Sequence, residues 1–270
     1  MPTTWAACCG RPACVRPTAF VAAVDGLEVG MSRFKFTDAT GDRLPCSAQF
    51  GNGPLSGPYT SSKDFFAGLS TIYRAEIADL AARGATLVQL DEAALAMLCD
   101  PAVRRRVEAA GEVPGQLVDD YVAAIADAGA DRPEGVTLAL HLCRGKGPHW
   151  LAEGGYEPVA EAVFGGTGVD MLFLEFDSAR AGGFEPLRRV PATTFVVLGL
   201  VSSRTPELEP RDELLQRIED ASRYVDVERL ALSPQCGFAS TAGGNPLSED
   251  DERRKLGLVV EVCQEVWGGP

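Results

Sequence analysis

Positive charge is what this sequence has too little of. Its 25 Lys and Arg face 38 Asp and Glu, a formal net charge of −13 at pH 7. Phosphate backbones are gripped by clusters of Lys and Arg, so this balance excludes a nucleic-acid surface and argues against docking on anionic lipid. Long apolar runs are missing as well. The longest, Phe195–Val201, is of strand length, far short of the roughly 20 residues of a membrane helix. The first residues, MPTTWAACCGRPACVRPTAF, lack the apolar segment of a secretion signal. The 8 cysteines have no regular spacing. That argues against a secreted disulfide framework and for a reducing cytoplasm, where thiols stay free for metal or chemistry. Histidine occurs only twice, at His141 and His149.

What is present is an ordinary globular composition, 46% hydrophobic and 23% charged, in a strand–helix alternation that begins near residue 61. Ser61 and Ser62 can cap a helix whose apolar positions Phe65, Leu69, Ile72, Tyr73, Ile77 and Leu80 recur at helical spacing, with Gly84 as its stop. Short apolar strands are expected at 85–90, 136–142, 170–176, 194–201 and 229–233. Helices are expected between them near 113–128, 158–164 and 211–224, and a closing helix over 250–267. Such a chain forms a parallel sheet covered by helices, which a doubly wound sheet and a barrel both satisfy. Each strand ends in polar or reactive residues: Asp91-Glu92, His141-x-Cys143, Glu175-x-Asp177, Ser202-Ser203-Arg204 and Gln235-Cys236. Barrel enzymes build their sites at such C-terminal strand ends, which favours the barrel.

Residues 1–58 differ. They hold Cys8, Cys9, Cys14 and Cys46 among many Pro and Gly, with no strand–helix unit, and stand apart from a barrel domain over 59–270. They are too few for three βα units of roughly 30 residues each. The expected fold is therefore an α/β chain of the (β/α)8 TIM-barrel type, incomplete at its N-terminus, with strands 4–8 recognisable. Open strand edges call for cover by residues 1–58, by an oligomer or by a partner chain.

His141 and Cys143 lie two apart, so in an extended chain they point to one face. Taken alone the pair reads as a buried thiol beside a satisfied imidazole. With Glu175 and Cys236 at the ends of the following strands, it becomes a candidate zinc site, since zinc accepts imidazole, thiolate and carboxylate together. A thiol with pKa about 8.5 is mostly protonated at neutral pH, and zinc coordination removes its proton. The mixed set thus suits activation of a substrate thiol, with Glu175 as the replaceable oxygen ligand among softer donors.

The segments HLCRG, LEFDSARAGGFEPL, VVLGLVSS and LSPQCGF resemble the catalytic barrel of cobalamin-independent methionine synthases and their single-barrel relatives, from Tyr59 to Trp267. The resemblance implies zinc at the C-terminal mouth of the barrel and methylation of homocysteine by attack of its thiolate on an alkyl donor. His141, Cys143, Glu175 and Cys236 match that family's zinc ligands. Asp91, in QLDE, matches the aspartate that holds the amino group of homocysteine. Arg180, in the SARAGG loop, is a candidate for a substrate anion, ahead of Arg144 and Lys146, while the loop residue His149 is a candidate acid or lid residue.

Two departures from the family pattern stand out. Where the family carries an Asp-x-His-Ser segment, whose histidine protonates the departing folate, this chain has Gly199-Leu200-Val201-Ser202. The family's first strand, with its Gly-Ser motif, is not recognisable in residues 1–58. The first departure opens a variant reading in which the thiol differs from homocysteine, or the alkyl donor is an epoxide or a corrinoid-bound methyl. The second opens a non-catalytic barrel fragment. A metal-free decarboxylase of the uroporphyrinogen type would not need four ligand residues in register.

Overall fold

The computed structural model describes residues 62–144, 152–238 and 246–268. The segment 1–58, with its four cysteines, lies outside the described residues, as do Lys146 and His149.

Five strands form one parallel sheet: β1 (Leu87–Glu92), β2 (Thr137–Leu142), β3 (Met171–Glu175), β4 (Phe195–Val201) and β5 (Leu230–Pro234). Their order in space is their order in sequence. A doubly wound sheet reverses strand order at a switch point, whereas a barrel adds each strand beside the last. The described strands therefore form an arc of a barrel, and the doubly wound alternative falls. The helices are α1 (Ser62–Ala82), α2 (Ala94–Met97), α3 (Pro101–Ala109), α4 (Pro114–Gly129), α5 (Glu157–Gly166), α6 (Arg211–Ser222) and α7 (Glu249–Trp267). None is long and apolar enough to cross a membrane.

Alternation along each strand separates two faces. Val88, Leu90, Leu138, Leu140, Leu142, Leu172, Leu174, Val196, Leu198, Leu200, Leu230 and Leu232 are buried in the core under the helices. Each contributes about 1.5–3 kcal/mol by leaving water. The other face carries Asp91, His141, Phe173, Glu175, Gly199 and Ser233, aligned across the strands by Asp91↔His141↔Phe173 and Glu175↔Gly199↔Ser233 pairings. Paired residues in parallel strands point the same way, so the register carries these groups onto one surface. A β-bulge between Gly199 and Val201 breaks the β4–β5 pairing close to the site.

Two short helices escape a reading by periodicity. The four residues of α2 are too few for it, and the Arg104-Arg105-Arg106 run hides α3. The start of α3 nonetheless follows helix chemistry: Asp100 accepts the Ala102 N–H at 2.7 Å, and Pro101 occupies the first turn. Ile72, expected on the buried face of α1, is 57% exposed. The apolar stripe that meets α4 runs through Phe66, Leu69, Tyr73 and Ile77 instead, with Phe66 edge-on to Tyr121 at 5.1 Å. Cys99 and Cys263 are buried core thiols, as expected.

α7 ties back to the end of β4. The fully buried Lys255 ammonium donates to Glu209 at 3.1 and 3.2 Å and to the Glu207 carbonyl, while Glu209 accepts the Ser202 N–H at 2.7 Å. Removing one partner of such a pair leaves the other charge stranded. Lys255→Met is therefore expected to lower unfolding free energy by about 3 kcal/mol, read from urea denaturation. A loss below half a kcal/mol would show that water reaches Glu209 and that the pair adds nothing.

Candidate metal and thiol site

At the C-terminal ends of β2, β3 and β5, the ligand atoms of His141, Glu175 and Cys236 lie within 4.8 Å of one another. His141 Nε2 is 3.3 Å from Glu175 Oε1, and the Cys236 thiol donates to the same oxygen at 2.5 Å. Cys143 joins through Cys236, with the two sulfurs 3.3 Å apart. Tetrahedral edges at ordinary zinc–ligand lengths are about 3.3–3.8 Å. The donor set of one nitrogen, two sulfurs and one oxygen suits that ion. The His141–Glu175 and Cys143–Cys236 separations match such an edge, whereas Cys236 and Glu175 stand at hydrogen-bond distance.

The electrostatics point the same way. The Glu175 side chain is 2% exposed and that of His141 10%. Burial works to raise the Glu175 carboxyl, but hydrogen bonding and charge from His141, with hydrogen bonds from Cys236 and the Arg144 N–H, hold it below the ordinary value. Burial opposes a charged His141, yet Asp91 and Glu175 outweigh it and raise the imidazole well above its usual range. A hydrogen bond from Cys236 lowers the Cys143 thiol, and the same bond raises that of Cys236. The pocket therefore gathers two thiols and one carboxylate around one imidazole, with a proton kept on Cys236 and one gained by His141. A divalent cation in their midst would displace those protons.

Asp91, 52% exposed at its side chain, takes a hydrogen bond from His141 Nδ1 at 2.5 Å. That contact fixes the ring so that Nε2 faces Glu175, the outer partner a metal-binding imidazole generally has. Arg180 lies at the edge of the site, where its guanidinium donates to the Ala152 carbonyl at 2.6 Å and to Asp177 at 3.3 Å. Asp177 also receives Arg204. Val201 is fully buried, so β4 aims no titratable side chain into the site from the position where an acid was sought.

Arg144 departs from the expectation of a loop residue free to meet an anion. It is fully buried, with its guanidinium 4.8 Å from the centre of the Tyr156 ring and bonded to the Ala152 and Gly154 carbonyls. Its N–H donates to Glu175 Oε2 at 3.3 Å. Gln235 Nε2 approaches the same oxygen at 3.5 Å. Tyr156, fully buried, was not singled out in the sequence, because nothing in G-G-Y-E-P marks more than a helix start.

Beside Asp91, Glu92 turns to the opposite face of β1 and is buried. Its Oε1 accepts the N–H groups of Ala94 at 2.5 Å and Leu95 at 3.4 Å, and its Oε2 has no partner. Burial pushes its carboxyl up to about 7, against the lowering by those backbone bonds.

The chain matches the family described as "Cobalamin-independent synthase, Catalytic domain" over residues 60–264. It is 46% identical over 201 residues to YxjG of Bacillus subtilis, itself described as uncharacterized, covering 74% of this chain and 53% of that protein. Among solved structures, one from Listeria monocytogenes, provisionally given as a vitamin-B12 independent methionine synthase, matches with TM-score 0.61 and 31% identity. That match covers 77% of this chain and 56% of the other. A B12-independent methionine synthase from a Shewanella species, in complex with selenomethionine, matches with TM-score 0.60 and 21% identity over the same shares, a likeness of fold. The chain thus spans about half the length of the proteins it matches.

The Glu92 carboxyl yields a pH test. A folded pKa of about 7 lies above the unfolded carboxylate value, so the folded state holds the extra proton between the two. This contribution to stability is complete below the unfolded pKa and is lost as pH rises through 7. Glu92→Gln keeps an acceptor for Ala94 and Leu95 without the charge. From pH 5 to pH 8 its stability should gain on the wild type by about 2–3 kcal/mol in urea unfolding. A gap that stays constant with pH would contradict the burial of this charge.

Proposed function

The chain belongs to the family of cobalamin-independent synthase catalytic domains, and from that premise we propose that it is a zinc-dependent thiol alkyltransferase of the methionine synthase type. The observation that carries the reading is the convergence of His141, Glu175 and Cys236 at neighbouring strand ends, with Cys143 against Cys236. In this reading the four residues hold zinc. When bound, the ion supplies a thiolate at neutral pH, where a free thiol is mostly protonated.

The remaining roles fall to the chain's own groups. Asp91 orients His141 and, being half exposed, offers a charge-assisted hydrogen bond to the ammonium group of homocysteine or a related aminothiol. Glu175 is the replaceable ligand. Its Oε2 already has the Arg144 N–H and Gln235 Nε2 as neighbours, so the carboxylate would stay solvated by the protein if a substrate sulfur took its place. Arg180 borders the site and is the candidate for a carboxylate of the substrate or donor.

The buried Val201 favours a donor other than methyltetrahydrofolate. A folate amine departs poorly without protonation, whereas a corrinoid-bound methyl leaves its electron pair on the metal and an epoxide is opened by ring strain. A general acid is worth about 10²–10⁴-fold, so its loss is measurable.

Purified protein should carry about one zinc per chain, and Cys236→Ser should lose most of it, because a hydroxyl is a far weaker ligand than thiolate. Zinc-loaded wild type should methylate homocysteine from methylcobalamin at least about 100-fold faster than from methyltetrahydrofolate. Full zinc retention by Cys236→Ser would sink the ligand assignment. Equal rates with the two donors would sink the donor assignment alone.

A further inference from the structure

We infer that Tyr156 is a positioning residue for Glu175: its hydroxyl supplies the donor that the ladder does not give the Glu175 carbonyl at the end of β3, and so fixes the direction in which the carboxylate leaves the strand.

In a parallel sheet, the N–H and C=O of one residue point toward the same neighbouring strand, and those of the next residue toward the other. Phe176 donates its N–H to Gly199 of β4 at 3.0 Å. The N–H and C=O of Glu175 therefore face β2. There Leu142↔Leu174 is the last register, in which the Leu142 C=O takes the Glu175 N–H, and the Glu175 C=O has no ladder donor left. The next residue of β2 whose backbone faces β3, Arg144, is otherwise engaged. Its N–H goes to the Glu175 carboxylate, and its C=O accepts the Ala152 N–H at 2.9 Å. The carbonyl of a residue that is 1% exposed would be stranded without a substitute.

Tyr156 provides it with one atom. The Glu175 N–H donates to the Tyr156 hydroxyl at 2.9 Å, and that hydroxyl donates to the Glu175 carbonyl at 3.2 Å. Its ring is held between the Arg144 guanidinium at 4.8 Å and the Phe176 ring at 5.2 Å. The segment that carries it is anchored on two further sides. The Glu153 N–H donates to Asp100 at 3.1 Å, and Arg180 donates to the Ala152 carbonyl at 2.6 Å. At Gly182, where φ is +75°, a Cβ would stand 2.8 Å from the Gly155 Cα, so the two loops meet backbone to backbone. Arg180 and Asp100 thereby act through the strut Ala152–Tyr156 on the strand end that bears Glu175.

The reason Glu175 must be held depends on the proposed metal site, whereas the clamp itself does not. The test separates them. In the full-length wild type, the Glu175 amide, on the last rung of the ladder, should exchange with deuterium about as slowly as that of Leu174. In Tyr156→Phe, which keeps the ring and removes the hydroxyl, it should exchange at least tenfold faster, with Leu140 and Leu198 unchanged within twofold. Cobalt(II), titrated by its thiolate absorption, should bind this variant about tenfold more weakly, the range for loss of an outer-shell contact. A fast Glu175 amide in the wild type overturns the inference without any variant. So does an unchanged Glu175 amide in Tyr156→Phe, or acceleration shared equally by the whole sheet. If the wild type takes up no cobalt, the metal reading falls, and the exchange rates still decide the clamp.

Discussion

Two thiols and one imidazole meet around a carboxylate that is held as an anion although it is buried. A buried negative charge of that kind needs positive charge or donated hydrogen bonds beside it. Without a metal that role falls to protons, which Cys236 retains and His141 gains. A single divalent cation would do it with better geometry, because each group could then present a lone pair to one point. Asp91 behind His141 and the Arg144 N–H behind Glu175 are the outer supports that such an arrangement requires.

The scaffold meets this constraint by register. Sequential parallel winding sets the ends of β1, β2, β3 and β5 around one mouth, and pairings such as Asp91↔His141 turn the polar groups to the same surface. The opposite face of every strand is packed under helices, which leaves the strand ends little freedom to drift. Where the ladders run out, side chains take over. Tyr156 holds the end of β3, and Glu209 with Lys255 holds the end of β4. The strand ends that carry His141, Glu175 and Cys236 are therefore tied on several sides even though they belong to separate strands.

Much of this was legible in the sequence. The five strands announce themselves because each is a short apolar run ended by glycine or polar residues, and the residues at those ends are the ones that converge. What stayed hidden was of another kind. α2 and α3 were too short or too charged for periodicity, although Asp100-Pro101 carries a cap and a first-turn proline that a reader of helix starts could have used. Ile72 fits the apolar spacing of α1 yet faces solvent, since α4 covers only one side of that helix. Arg144 and Tyr156 were invisible for a deeper reason. Their importance lies in bonds to distant backbone groups, and a bond to backbone leaves no mark on the partner's residue type. One acceptor of Arg180, the carbonyl of Ala152, is likewise silent in a sequence, although the other, Asp177, is not.

The central claim is that His141, Cys143, Glu175 and Cys236 together hold one zinc ion. X-ray absorption at the zinc edge of the purified chain tests it most directly, because sulfur and nitrogen or oxygen scatter at separable distances, about 2.3 Å against about 2.0–2.2 Å. The account predicts a four-coordinate ion with two sulfur and two lighter ligands, changing to three sulfurs and one lighter ligand when homocysteine is added. A shell of oxygen and nitrogen alone, or one sulfur that homocysteine leaves unchanged, would contradict it.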